Sequence, residues 1–200
     1  LHLNSMTNSG SANFNIASGA TLDVAGDAVL TAPSDVAYSR YLVKQNLGTA
    51  KVGGILKATG GSMAYAAEAS STGVFDVGGL LNDGTKEYFK LGMYQRKQAT
   101  VVWNIGASGI ASSQTALAAG KYFYVNKTYA AGELYPSADY TISVPVGIRT
   151  GCPLVVHTSS RGDELAPHTV TVTDGFYRDG AVTMDGAGTP VLDCDASSSP

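Results

Sequence analysis

The chain has 200 residues, with 24 glycines, 44% hydrophobic residues, only 14% charged residues and a formal net charge of −3. Length and apolar content of this order supply one sizeable core, in a single domain or an elongated array. With Arg96-Lys97 as the only adjacent basic pair, the chain lacks the basic stripe of a nucleic-acid-binding surface, and no apolar run of eighteen residues is present to form a transmembrane helix.

The sequence opens Leu1-His2-Leu3-Asn4, without an initiating Met or a signal-peptide pattern, which reads as an internal cut or a processed start. The expectation is a piece of a longer polypeptide, or ends sealed by the irregular segments Leu1 to Ala12 and Ala196 to Pro200.

A five-residue signature then recurs: apolar, polar, aliphatic, small, often Gly. It reads Leu22-Asp23-Val24-Ala25-Gly26, Ala50-Lys51-Val52-Gly53-Gly54, Phe75-Asp76-Val77-Gly78-Gly79 and Trp103-Asn104-Ile105-Gly106. The central aliphatics Val24, Val52, Val77 and Ile105 are separated by steps of 28, 25 and 28 residues. Helical-pair repeats would space apolar positions three and four apart, whereas these segments are short, alternating and punctuated by Gly. The pattern predicts an all-β protein, a parallel β-helix (β-solenoid) with coils of about 25–28 residues stacked at about 4.8 Å. In such a stack Asp23, Lys51, Asp76 and Asn104 become vertical neighbours, and no acid faces another acid. The flanking apolar residues point inward.

Regular coils with side loops are expected over residues 1–120, and less regular β coils or a small appended β domain over 121–200. Later matches to the signature are Thr128-Tyr129-Ala130-Ala131-Gly132, a weaker Leu154-Val155-Val156-His157, and Val182-Thr183-Met184-Asp185-Gly186. The alternating runs Tyr140 to Val146 and His168 to Thr173 read as good strands.

The run Phe14 to Val24, with echoes at Ile55 to Gly61 and Gly78 to Gly84, resembles the right-handed β-helix of autotransporter passengers and pectin-lyase-like surface proteins. The resemblance is one of repeat style. It implies a secreted or surface-displayed bacterial module with a structural or adhesive role, binding glycans or a host surface, or alternatively a polysaccharide-degrading hydrolase or lyase. It carries over no functional residue.

Candidate sites follow from chemistry. Glycoside hydrolysis needs two converging carboxylates, for which Asp76, Asp83 and Glu87 are candidates, while a lyase would use a base beside cations such as Arg96. The plainer reading places Asp76 in the repeated ladder and makes Asn82-Asp83-Gly84 a turn. Asp174, Asp179 and Asp185 are candidate calcium ligands, in a spacing unlike an EF-hand loop, and no other cofactor is expected. Tyr88 and Tyr94 sit in an excursion rich in aromatics and cations, suited to ligand binding. Arg161-Gly162-Asp163 is the tripeptide read by integrins in adhesive proteins, although a short match of this kind arises by chance and a solvated turn is the plainer reading. Cys152 and Cys194 would form one disulfide or remain two free thiols. His2, His157 and His168 accompany no Gly-x-Ser-x-Gly elbow, so a serine hydrolase is not expected.

Overall fold

A computed structural model describes residues 1–8, 15–32, 40–43, 45–60, 64–67, 72–84, 89–93, 101–112, 123–124, 132–143, 146–148, 154–173, 176–178, 182–185 and 189–192. Among them every element is a β-strand, and thirteen strands join one large sheet. Every pairing among the described residues is parallel except one short hairpin.

The expected register holds through Ile105. Val24 pairs with Val52, Val52 with Val77, and Val77 with Ile105. The strand Thr21–Val24 shows how this arises: its residues alternate between exposed or half-buried and buried, so Leu22 and Val24 face inward while Thr21 and Asp23 face out. The rungs superpose Leu22, Ala50, Phe75, Trp103, Leu134 and Val156 in one inward column, and all six are buried. A second inward column runs through Ala28, Leu56, Leu80, Ile110, Ile142 and Val172. Burying such side chains contributes roughly 1.5–3 kcal/mol each, so the two columns are the main source of cohesion.

The glycines of the signature mark the bend between the two columns. The register shifts between Val77 and Gly79, and a Cβ at Gly78 would lie 2.6 Å from the carbonyl oxygens of both Gly53 and Gly54. Only a residue without a side chain lets adjacent rungs approach so closely. Polar bonds also cross rungs: the Ile55 N–H donates to Asp27 Oδ1 at 2.8 Å, and the Thr59 hydroxyl to Thr31 Oγ1 at 3.1 Å.

Beyond Ile105 one expectation changes. Ile105 pairs with Pro136, a step of 31 residues, rather than with Ala130, and Leu134 supplies the buried apolar position. A longer connection after Ser112, which includes the strand Phe123–Tyr124, takes up the additional residues. Ala130 lies outside the described residues. The following steps pair Leu134 with Val156 and Val156 with Met184, so strands past residue 120 continue the same sheet. Three smaller parallel sheets accompany it among the described residues: Arg40–Val43, Ala64–Ala67 and Phe89–Met93; Phe123–Tyr124, Val146–Ile148 and Phe176–Arg178; and the pair Asn15–Ile16 and Gln45–Asn46.

Candidate functional site

The one antiparallel pairing among the described residues departs from the ladder and builds the most distinctive surface feature. Ser159–Ser160 pairs with Asp163–Pro167, joined by a turn at Arg161 and Gly162, with Gly162 at φ +77°. That conformation suits glycine at a tight turn. The root of the hairpin is fixed: Thr158 and Ser159 are buried, and the His168 N–H donates to the Thr158 carbonyl at 2.8 Å. Its tip is open, with Arg161, Gly162 and Asp163 all exposed and Leu165 93% exposed. Asp163 Oδ1 accepts a bond from the Leu165 N–H at 3.0 Å, which holds the carboxylate against its own strand.

At the foot of the hairpin three polar side chains meet from three segments. Ser160 Oγ lies 2.9 Å from His168 Nε2, and His168 Nδ1 lies 3.4 Å from Asp139 Oδ1. Asp139 precedes the strand Tyr140–Ile142 and His168 precedes Thr169–Val172, and these strands pair with Tyr140 opposite Val170. Consecutive rungs therefore carry the carboxylate and the imidazole. The Thr169 N–H also donates to Asp139 Oδ1 at 2.9 Å.

A second polar group lies on the outer face of the large sheet. One register column reads His2, Asp23, Lys51, Asp76 and Asn104, then Tyr135, and a neighbouring rung adds His157 opposite Asp185. His2 Nδ1 lies 2.9 Å from Asp23 Oδ2. The Tyr135 and His157 rings stack at 3.8 Å with planes 4° apart, and the Tyr135 hydroxyl donates to Glu133 Oε2 at 3.0 Å. Within this column, burial pushes the Asp76 carboxyl above its ordinary value, and the charge of Lys51 works against that rise.

The residues singled out by sequence are distributed as follows. Arg161 and Asp163 come together at the hairpin tip. Asp76 takes its expected place between Lys51 and Asn104, while Asp83 lies on the same strand, paired in register with Thr59. The two acids stand seven positions apart along that strand, on the order of 20 Å of backbone, wider than one glycosidic bond requires. Asp185 stands opposite His157. Glu87, Arg96, Tyr88, Tyr94, Asp174, Asp179, Cys152 and Cys194 lie outside the described residues. Among the described residues no group of three His, Cys, Asp or Glu side chains converges to hold a metal ion.

Ser160, Asp139 and Glu133 were not marked by sequence reasoning. Their meeting depends on rung pairing and on the hairpin, which leave no local motif. No helix among the described residues is long and apolar enough to cross a membrane. No family model, curated protein or solved structure matches the chain.

Proposed function

We propose that the chain is a secreted or surface-displayed bacterial module of the right-handed β-helix type, with an adhesive role exercised on a host-surface protein through the hairpin at 159–167. Rung-by-rung parallel pairing at intervals of 22–31 residues supports the β-helix reading. Right-handed winding is the hand of nearly all crossovers between parallel strands in one sheet.

The observation that carries the adhesive reading is the exposed Arg161-Gly162-Asp163 turn, raised on a hairpin whose root is buried in the stack. A cation and a carboxylate flank a glycine, with exposed Leu165 close by, and the anchored root limits the entropy lost on docking. The polysaccharide-degrading alternative draws less support, because Asp76 and Asp83 lie seven positions apart on one strand.

Attachment of integrin-bearing cells to the immobilised chain tests the proposal. Expected are competition by soluble Arg-Gly-Asp peptide and at least tenfold weaker attachment of Asp163→Glu. Attachment indifferent to both, or binding to immobilised oligosaccharides in place of cells, would overturn it.

A further inference from the structure

Geometry at the hairpin foot supports chemistry that adhesion does not require. We infer that Ser160 is an activated nucleophile, with His168 as its general base and Asp139 as the residue that positions His168, and that the group hydrolyses short-chain acyl esters. The three side chains are connected by two contacts in the order such catalysis needs: hydroxyl to Nε2 at 2.9 Å, and Nδ1 facing the carboxylate at 3.4 Å. With Nδ1 facing the Asp139 carboxylate, the Nδ1-protonated tautomer is the one the proposal uses, because it leaves Nε2 to accept the Ser160 proton.

The reaction balances without a cofactor. Ser160 Oγ forms a bond to the acyl carbon while its proton passes to His168 Nε2, and the carbonyl electron pair moves onto oxygen. Collapse breaks the bond to the leaving alkoxide, which takes the proton from His168. Water then attacks the acyl-serine by the same route, releasing a carboxylic acid and restoring Ser160. His168 retains 22% side-chain exposure and Asp139 71%, so the group works at an open surface. That setting admits small acyl groups such as acetyl, including those displayed on a polymer, rather than long chains that need a deep pocket.

A fluorophosphonate probe, which reacts with activated serines, provides the test on the intact chain, with the labelled peptide located by mass spectrometry. Labelling concentrated at Ser160 and hydrolysis of p-nitrophenyl acetate are expected. Ser160→Ala should abolish both, and His168→Gln should slow both by about 100-fold or more. Asp139→Asn keeps an oxygen to accept the Thr169 N–H but removes the charge, so it should alter the pH profile of labelling while leaving the thermal unfolding midpoint in place. Wild-type chain that labels Ser160 no faster than its other serines overturns the inference whether or not the variants fold. So does a His168→Gln rate equal to wild type. Cell attachment is read separately, so failure of either idea leaves the other standing.

Discussion

Phe75 and Trp103 lie on adjacent rungs with ring centroids 4.9 Å apart and planes at 28°, in contact along the inward column. Both are fully buried, and they are the two largest such side chains among the described residues. Ala50 sits on the rung before Phe75, so the column places a small residue next to two large ones.

Trp103→Ala should therefore lower stability by about 3–5 kcal/mol, as a lost indole leaves a cavity that rigid neighbouring rungs cannot close. Urea denaturation followed by circular dichroism measures it. In a double-mutant cycle with Phe75→Ala, the losses should fall short of additive by about 0.5–1.5 kcal/mol, the coupling of the stacked pair.

The inward column and the polar ladder through Asn104 were legible in the sequence because the same local chemistry repeats at each rung: alternation fixes which side chains face in, and glycine marks the bend. Pro136 opposite Ile105 was not legible, since connector length carries no period once alternation is interrupted. Arg161 and Asp163 were readable as an exposed turn from their polar surroundings. The meeting of Ser160, His168 and Asp139 was hidden because it joins two rungs and a hairpin, and the nearest sequence cue, a histidine at the head of a strand, has no fixed partner spacing.

Asp76 gives a pH dependence whose sign follows from its surroundings. Its folded pKa is raised above the ordinary 3.8, first by burial, with Lys51 lowering it in part. The folded state therefore holds this proton more tightly than the unfolded chain does. The contribution is fully present below the unfolded value and is lost as pH rises through the folded pKa. Lys51→Met should raise the carboxyl further and steepen the loss of stability on leaving acid, whereas Asp76→Asn should flatten that part of the profile. Urea midpoints between about pH 3 and pH 7 check both slopes.

Two buried polar side chains should respond with opposite signs. Asn46 is fully buried, donates through Nδ2 to the Val74 carbonyl at 2.9 Å and accepts from the Gly48 N–H at 3.0 Å, tying neighbouring rungs together. Asn46→Ala should cost about 2–3 kcal/mol, because it strands backbone groups away from water. Tyr140 is also buried, and burial pushes its hydroxyl above the ordinary value while that hydroxyl has no hydrogen-bond partner among the described residues. Tyr140→Phe removes an unsatisfied group and should leave stability unchanged or raise it by up to about 1 kcal/mol. Thermal melts of the two variants side by side separate the cases.

Along the column from Leu22 to Val156, consecutive rungs are separated by as few as 22 and as many as 31 residues, yet the inward positions stay in line. Length is thus tolerated in the connectors and forbidden in the steps, much as a staircase accepts landings of any size but not uneven treads. A protein built this way invites editing: foreign peptides spliced between treads would be displayed at fixed heights, whereas a single residue added within a tread would turn its inward side chains outward.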